Sequence, residues 1–307
     1  MLILIIGLGS IAKKHITALE KLNISCKIYA LRSGNSAKSV EGINNIKHFT
    51  ELPKKPDFAI ISNPTSYHKI TIEKLLEYNI PMFVEKPALH SLEGIDKLVK
   101  SVNNSKLVNY VACNFRFHPC IEFLKNILPN GNKKINEINV YCGSYLPGWR
   151  AGNDFKKNYS SIKELGGGVH LDLIHEIDYI IWLLGKPNLS KSYLSNKSTL
   201  NIESNDYANF LLEYNDYSVS IILNYYRRDS KRSIEIIFED ETWFVDLLKS
   251  TIINNDGDVI FQSENFLIQD TYCKQMKYFI EKINSKTFPM NTIEESMIAL
   301  KIVLQNG

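Results

Sequence analysis

The 307-residue sequence is poor in cysteine and has no long apolar run. Its five cysteines include no C-x-x-C pair, and such an odd, scattered set is typical of reduced thiols rather than of a disulfide framework. The apolar run LILII near the start reaches a glycine at Gly7, so it is too short to span a membrane, and it lacks the basic front of a signal peptide. We therefore expect a cytoplasmic protein that does not enter a membrane.

The sequence also lacks an excess of charge of one sign. Its 36 basic and 33 acidic residues are interspersed and leave a formal net charge of +3, so no basic stripe indicates a nucleic-acid or membrane partner. Three catalytic strings are missing too: there is no P-loop, no G-x-S-x-G elbow and no H-E-x-x-H zinc motif. These absences exclude the commonest phosphoryl-transfer, serine-hydrolase and zinc-protease classes.

The order of the apolar runs predicts two domains. Up to about residue 120, short β-branched runs such as LILII, FAII and MFVE alternate with amphipathic patterns, which is typical of a parallel sheet with helices on both faces. Further along, one predicted helix over 168–184 is followed by β-rich runs separated by turn signals, which predict antiparallel strands, and two helices close the chain. We place one domain at 1–119 and the other at 120–307.

The first predicted strand leads into a dinucleotide fingerprint. In IIGLGSIAKKH, Gly7, Gly9 and Ala12 have the G-x-G-x-x-A spacing where a strand turns into a helix. The first glycine permits a tight turn, the second lets the backbone approach a pyrophosphate, and the alanine keeps the helix close to the sheet. We expect this turn, with Ser10 and Ile11 at the helix start, to bind NAD or NADP.

The end of the second predicted strand bears on the choice between these two cofactors. An NAD enzyme usually carries an acidic residue there for the ribose hydroxyls, whereas this sequence has Arg32 and Ser33. A guanidinium beside a hydroxyl suits a 2′-phosphate, so the sequence favours NADP(H), with NAD as the alternative.

Another predicted strand is followed by the run SNPTSYH. This loop lies at the carboxyl edge of the predicted sheet, where ligands of such sheets bind. The further residues that we expect to bind the cofactor are Asn63, Pro64, Thr65 and His68. The last of these is also typical of a residue that begins a helix.

The next predicted strand is apolar enough to be buried and leads into the run FVEKPALH, which contains Glu85 and Lys86. Together with the fingerprint and the later GGGVHLDLIHEID, this run resembles the Gfo/Idh/MocA oxidoreductases, a family named for glucose-fructose oxidoreductase and inositol dehydrogenase. The resemblance implies an α/β fold, with an N-terminal Rossmann domain and a C-terminal α/β domain whose large, open, mostly antiparallel sheet often forms the oligomer interface. It also implies NAD(P), a sugar, inositol or nucleotide-sugar substrate, and a homodimer or homotetramer.

The resemblance assigns the central role to Lys86, because in that family the lysine of the E-K-P motif touches both nicotinamide and substrate. The chemistry agrees: an ammonium at the sheet edge can polarise a carbonyl or an alkoxide as hydride moves. Glu85 is expected beside the cofactor. The alternative is that Glu85 and Lys86 form a plain ion pair at the strand end.

The run GGGVHLDLIHEID predicts a helix with a polar stripe. Asp172, His175 and Tyr179 would share one face, while apolar residues cover another. A histidine can carry the hydroxyl proton of an alcohol, and a neighbouring carboxylate can orient the substrate. The family usually places its histidine four residues after the aspartate and here the spacing is three, so the carrier of the proton stays open. The three glycines are expected to leave room for substrate.

The same helix also allows less specific, structural roles for these residues. A core histidine satisfied by an acid is the alternative to catalysis. His170 and Asp178 are expected to be structural, with Asp178 bonded to backbone or to an arginine. A metal site is disfavoured because Tyr179 stands where a second zinc-binding histidine would be.

The remaining candidates concern the substrate. In CNFRFHP, Asn114, Arg116 and His118 occupy every second position, so they are expected to lie on one side of a strand. Aromatic and charged residues suit a polyhydroxylated ring, and several arginines, at 116, 150, 227 and 228, suit a diphosphate. The further substrate-binding candidates are Trp149, Arg150, Asp154 and Tyr159.

We therefore predict an NAD(P)-dependent oxidoreductase that moves a hydride between nicotinamide and a ring carbon of a sugar or nucleotide-linked sugar. Lys86 would polarise the oxygen, His175 would carry the proton, and Asp172 would orient them. Two alternatives stay open: a non-catalytic NAD(P)-sensing or scaffold protein on the same fold, and a glycosidase that uses tightly held NAD.

Overall fold

A computed structural model of the chain describes residues 1–32, 40–128, 133–150, 152 and 154–305. The chain divides into two compact units, one made of Met1–Asn114 with Ile268–Met297 and the other of Phe115–Leu267 with Ile298–Gly307. The first division thus lies at 114/115, near the boundary predicted after residue 119. The segment 268–297 returns to the first unit, which the continuous ranges predicted from the sequence did not include.

The first unit is built on a six-stranded parallel sheet in the order β3-β2-β1-β4-β5-β6. Its strands are β1 Leu2–Ile6, β2 Lys27–Leu31, β3 Ile43–Ile46, β4 Phe58–Ile61, β5 Met82–Glu85 and β6 Asn109–Ala112. Strands β1, β4, β5 and β6 are buried along their whole length, which is why β1 and β4 are continuous apolar runs and why β5 and β6 are apolar except for Glu85 and Asn109. The strand order reverses between β1 and β4, and ligands of open parallel sheets bind at the carboxyl ends of the strands at such a reversal.

Eight α-helices are numbered along the described part of the chain. They are α1 Ser10–Lys21, α2 His68–Glu77, α3 Ile95–Ser105, α4 Pro119–Ile127, α5 Val169–Asp172, α6 His175–Leu184, α7 Ile268–Ser285 and α8 Ile293–Leu304. In the first unit, α7 packs on the sheet through Phe279, whose ring centroid lies 5.1 Å from that of Phe58 and 5.3 Å from that of Phe83. No helix within the described ranges is long and apolar enough to cross a membrane.

The second unit is built on an eight-stranded sheet in the order β14-β13-β12-β11-β7-β10-β9-β8. Its strands are β7 Ile135–Gly143, β8 Leu189–Ser195, β9 Tyr207–Glu213, β10 Ser218–Asn224, β11 Lys231–Phe238, β12 Thr242–Asp246, β13 Thr251–Asn254 and β14 Val259–Gln262. Neighbouring strands are antiparallel except for the parallel pair β7 and β10. The predicted α/β class, with a parallel sheet and a large, mostly antiparallel one, is confirmed.

One face of the second sheet is covered and the other is open. On β10, Val219 and Ile221 are fully buried, which is the alternation expected of a half-buried sheet. The opposite face carries exposed apolar side chains, including Tyr193, Leu211 and Phe244, which are 57%, 48% and 41% exposed.

Two predicted elements differ in the structure. The helix predicted over 168–184 is two helices, α5 and α6, because Leu173 has φ −101° and ψ 31° and so breaks the repeat. Asp172 therefore ends one helix and His175 begins the next, and they do not share a stripe of one continuous helix. Both segments are buried on nearly every side, so packing rather than helical periodicity sets their direction.

The strand predicted for CNFRFHP is also wrong. Residues Asn114–Phe117 form a 3₁₀ turn, and His118 caps α4 by accepting a hydrogen bond from the backbone N–H of Cys120. Pro119 fits the first position of a helix, where no N–H is needed. Asn114 and Arg116 consequently do not alternate along a strand.

Candidate cofactor and catalytic sites

Two glycines shape the turn between β1 and α1 in different ways. Gly7 has φ +92°, and a Cβ there would lie 2.4 Å from the backbone nitrogen of Asn63, so only glycine fits. Gly9 precedes α1, and nothing lies within 4 Å of the place where its Cβ would be. No side chain of the described residues caps this helix start. Ser10 is exposed and Ile11 is half-buried. The turn therefore offers backbone N–H groups to an anion.

The loop after β4 completes this edge of the sheet. Ser62 donates a hydrogen bond from Oγ to the carbonyl of Gly7 at 2.7 Å, which joins the two strand ends. Asn63 donates from Nδ2 to Thr71, while its Oδ1 is buried without a hydrogen-bond partner in the described part of the chain. A buried acceptor of this kind calls for a ligand donor. The turn and this loop, with Pro64 exposed and Thr65 buried, fit a dinucleotide.

His68 has a different environment from the one predicted. Its ring is 1% exposed, with Nε2 3.0 Å from the carbonyl oxygen of Asn63 and Nδ1 3.2 Å from those of Pro87 and Ala88. Burial lowers the pKa of His68, which favours the neutral ring. A neutral ring has one N–H, so it donates to a carbonyl of only one of these two loops. Its burial between the loop after β4 and the loop after β5 supports a positioning role rather than the predicted direct contact with cofactor.

The carboxylate at the end of β5 is held by His15, a residue that was not predicted to belong to the site. Glu85 is buried, and its Oε1 lies 2.5 Å from Nε2 of His15, a fully buried residue of α1. Its Oε2 accepts the backbone N–H of Lys86 at 3.2 Å, and the Lys86 side chain is half-buried. The signal for His15 was its position three residues after Ala12, on the helix face turned to the sheet.

The end of β2 places Arg32 at the edge of the same sheet. Its backbone N–H donates to the carbonyl of Ile46 at 3.0 Å, and its Nη1 lies 3.4 Å from Oδ1 of Asn45, which is a long contact for a hydrogen bond. Ser33 lies outside the described residues.

In the second unit, two tyrosines hold the carboxylate of Asp172. The hydroxyl of Tyr159 lies 2.6 Å from Oδ1, and the hydroxyl of Tyr225 lies 2.5 Å from Oδ2. Burial, and then the negative charge of Asp172, raise the pKa of both tyrosines well above its ordinary value. The phenols therefore stay protonated and donate hydrogen bonds to the carboxylate. Tyr225 was missing from the predicted site.

His175 is buried at the start of α6. Its ring centroid lies 5.1 Å from that of Phe115, and the guanidinium carbon of Arg232 lies 3.8 Å from the same Phe115 ring. The Arg232 Nε donates to the fully buried Glu176 at 2.6 Å. A buried ion pair therefore lies directly beside the start of this helix.

A second buried ion pair changes the interpretation of Arg116. Its Nε and Nη2 donate to the two oxygens of Asp178 at 2.9 and 2.7 Å, which confirms the arginine partner expected for Asp178. This fork is used on an internal carboxylate, so the predicted diphosphate role of Arg116 is not supported. Asn114, also predicted to bind substrate, is buried and donates from Nδ2 to Thr271 at 2.7 Å.

The loop that follows β7 brings Trp149 against Tyr225, one of the two tyrosines that are bonded to Asp172. Trp149 is 38% exposed and meets the Tyr225 ring edge-on, with centroids 5.4 Å apart at 90°. Its Nε1 donates to Oγ of Ser144 at 2.9 Å. An exposed indole whose edge is fixed from behind is suited to contact a ligand.

The other two candidates of this loop differ from each other. Arg150 is exposed, lies over the Tyr159 ring with its guanidinium carbon 5.7 Å from the centroid, and donates to Asn158. Asp154 is exposed and accepts the backbone N–H of Lys156 at 3.1 Å, so it caps a short 3₁₀ turn. The structure therefore brings Arg150 towards the Asp172 cluster and gives Asp154 a local structural bond.

Two of the three glycines before α5, Gly167 and Gly168, make room for the chain itself, whereas the sequence predicted room for substrate. A Cβ on Gly167 would lie 2.1 Å from the carbonyl oxygen of Tyr159, and Gly168 has φ +133° with the His170 ring 2.6 Å from where its Cβ would be. Burial lowers the pKa of His170 to about 4, so this ring is neutral at pH 7. Within the described residues no group of three or more His, Cys, Asp or Glu side chains is arranged to hold a metal ion.

Comparison with known proteins gives two adjacent matches. The profile of the GFO_IDH_MocA oxidoreductase family with an NAD-binding Rossmann fold matches residues 1–113, and that of its C-terminal alpha/beta domain matches residues 131–304.

Individual relatives are distant. The chain is 25% identical over 126 residues to 2,7-anhydro-N-acetylneuraminate hydratase of Mediterraneibacter gnavus, covering 41% of this chain and 33% of that protein. It spans only about a third of the length of the first curated relatives it matches. It is also 25% identical to scyllo-inositol 2-dehydrogenase (NAD(+)) of Bacillus subtilis, covering 97% of this chain and 90% of that protein. Among solved structures, levoglucosan dehydrogenase in complex with NADH and levoglucosan superposes with a TM-score of 0.84 at 15% identity, covering 99% and 95% of the two chains, which shows the fold.

Proposed function

The chain belongs to the GFO_IDH_MocA oxidoreductase family, and from this premise we propose that it oxidises or reduces a ring carbon of a sugar or nucleotide-linked sugar. A bound nicotinamide dinucleotide supplies or accepts the hydride. The observation that carries the proposal is the turn at Gly7 and Gly9, where the backbone before α1 is open to a diphosphate at the reversal of the strand order. The polyol named for the inositol dehydrogenase relative supports a polyhydroxylated ring as substrate.

Each catalytic candidate has a specific task in this proposal. The Lys86 ammonium polarises the reacting oxygen, and its backbone is held by Glu85, which His15 fixes in turn. His175 takes the proton of the substrate hydroxyl during oxidation and returns it during reduction. Asp172 accepts a hydrogen bond from the substrate and so orients it.

We propose a preference for NADP(H) on the basis of Arg32. No acidic residue lies between 32 and 40, so the end of β2 carries a guanidinium where an NAD enzyme usually has a carboxylate. Calorimetric titration with NADPH and NADH tests this. Arg32→Ala should weaken NADPH binding by about tenfold to a hundredfold and leave NADH unchanged. Lys27→Ala, an exposed lysine at the opposite end of β2, is the matched control. Equal affinity of the wild-type protein for both cofactors would reject the preference.

A nucleotide-linked or otherwise anionic sugar is the finer substrate proposal. Arg150 and Arg228 supply the charge, and Arg228 stacks on Tyr145 with its guanidinium carbon 4.2 Å from the ring centroid. Arg227 is less suitable because it donates to Asp229 through Nε and Nη2. Arg228→Gln should raise the KM for a nucleotide-linked sugar and leave that of a neutral sugar unchanged.

The activity is tested by incubating the protein with each dinucleotide and a panel of sugars, polyols and nucleotide-linked sugars. Lys86→Met should lower kcat by about a hundredfold or more while the dinucleotide still binds. Binding without turnover of any compound would instead favour a sensing or scaffold protein.

A second candidate function comes from the hydratase relative, whose name describes a reaction without net oxidation. This second candidate is a glycosidase-like reaction in which the cofactor is regenerated in each cycle. Product formation without net change in the absorbance of the reduced dinucleotide would favour it over a dehydrogenase.

We further propose a homodimer or homotetramer formed through the open face of the second sheet. Exposed apolar side chains on that face, such as Tyr193, Leu211 and Phe244, support it. Light scattering of the wild-type protein and of Phe244→Lys tests it, since a monomeric wild-type protein would refute it.

A further inference from the structure

The Asp172 carboxylate is held more firmly than one structural hydrogen bond requires. Tyr159, in the loop before α5, donates to one of its oxygens, and Tyr225, the residue that directly follows β10, donates to the other. The backbone of Tyr225 is itself fixed on both sides, because its N–H donates to Asp206 at 3.0 Å and its carbonyl accepts from Leu146 at 2.8 Å. Two separate chain segments thus end at one carboxylate.

The two bonds differ in the oxygen they use. Tyr159 donates to Oδ1 and Tyr225 donates to Oδ2, so rotation of the carboxylate would break at least one short, charge-assisted bond. A carboxylate has about four lone-pair positions, so two tyrosine bonds, one on each oxygen, set its direction without using all of them. The carboxylate is therefore fixed in direction by two donors from different parts of the chain.

Building on the proposed function, we propose that Tyr159 and Tyr225 are positioning residues that lock the Asp172 carboxylate in the orientation needed for turnover. Asp172 then serves as a fixed acceptor for a substrate hydroxyl next to the reacting one. The proton of the reacting hydroxyl goes to the imidazole of His175, because both oxygens of Asp172 are already held by donors, and the hydride of the same carbon goes to the dinucleotide.

Kinetics of Tyr225→Phe and Tyr159→Phe test the positioning role. Each change removes one hydroxyl and keeps the ring, so kcat should fall by about tenfold while KM for the sugar and Kd for the dinucleotide stay within about twofold. Tyr179→Phe is the matched control. Tyr179 is fully buried in α6, and its hydroxyl has no hydrogen-bond partner in the part of the chain that the structure describes. If Tyr225→Phe leaves kcat as unchanged as the control does, or acts only through KM, the proposal is overturned.

An alkaline titration of tyrosine absorbance tests the contact in the protein without substrate. Because the negative charge of Asp172 raises the pKa of Tyr159 and Tyr225, the two phenols should ionise at lower pH in Asp172→Asn than in the wild-type protein. The difference should disappear when both tyrosines are phenylalanine. Coincident curves for wild type and Asp172→Asn would overturn the proposal. A shift without turnover of any sugar would refute the proposed function and leave the contact of the two tyrosines with Asp172 standing.

Discussion

Replacing Gly7 with alanine tests the geometry of the cofactor turn. The alanine would adopt φ +92°, and non-glycine residues in such conformations cost about 1–3 kcal/mol. Its Cβ would lie 2.4 Å from the backbone nitrogen and 2.5 Å from the Cα of Asn63, so the backbone must move, which adds about 1–3 kcal/mol. The unfolded chain loses some entropy and returns up to about 1 kcal/mol. From these three terms we expect Gly7→Ala to lower the free energy of unfolding by about 1–6 kcal/mol.

Gly9→Ala is the matched change two residues away. The φ of Gly9 is −89°, an ordinary value for alanine, and nothing lies within 4 Å of the new Cβ. Alanine is a weaker helix cap than glycine, and this small loss is offset by the entropy of the unfolded chain. Stability should stay within about 0.5 kcal/mol of wild type. The methyl group would occupy the space kept for a diphosphate, so dinucleotide affinity should fall by about tenfold or more.

Urea unfolding followed by circular dichroism measures the first effect, and calorimetric titration measures the second. The two variants should separate stability from binding, with Gly7→Ala unstable and Gly9→Ala stable but weak in binding. A loss below about 1 kcal/mol for Gly7→Ala would refute the close approach to Asn63. Unchanged dinucleotide affinity in Gly9→Ala would refute the assignment of the open space to the cofactor.

Three further outcomes follow from buried charges and the catalytic pair. Because the pKa of His170 is lowered to about 4, the unfolded chain binds a proton at this residue between about pH 6.5 and about pH 4 and the folded chain does not. The free energy of unfolding should therefore fall by about 3 kcal/mol as pH drops from about 6.5 to about 4. In urea titrations at several pH values, His170→Gln should flatten this part of the stability curve. Asp178→Asn leaves the buried Arg116 without its charge partner, so thermal or urea unfolding should show a loss of about 3–5 kcal/mol; a loss below about 1 kcal/mol would contradict the burial of this pair. If His175 carries the proton, free imidazole should restore part of the activity of His175→Ala and none of that of Asp172→Asn, and the reverse pattern would exchange the two roles.

Much of the fold could be predicted because the relevant forces are local in sequence. The central strands of the first sheet are continuous apolar runs, since both of their faces are covered. Edge strands carry less of this signal, and both β3, with sequence INNI, and β8, with sequence LSKSYLS, were missed. The break at Leu173 was missed because no glycine or proline marks it in the sequence, so packing decides the direction of the chain.

The site was predictable where a motif fixes a backbone position, and less so where partners meet through space. Gly7 and Gly9 follow from their spacing because the turn itself requires them. Tyr225 lies 53 residues from Asp172 in sequence, and its contact depends on where β10 ends in the sheet. Arg116 was misassigned for the same reason, because its carboxylate partner is 62 residues away.

The parallel pair in the second sheet has a consequence for how the substrate range of this protein can evolve. Because β7 and β10 run in the same direction, with Gly143 opposite Asn224, the loop that carries Trp149 and the residue Tyr225 leave the same edge of the sheet side by side. The connection between the two strands is a long crossover, so insertions or deletions after Ser144 need not shift the strand register. Under the proposed role of Trp149 in binding substrate, exchanging this loop between homologues should change substrate preference and leave the sheet unchanged.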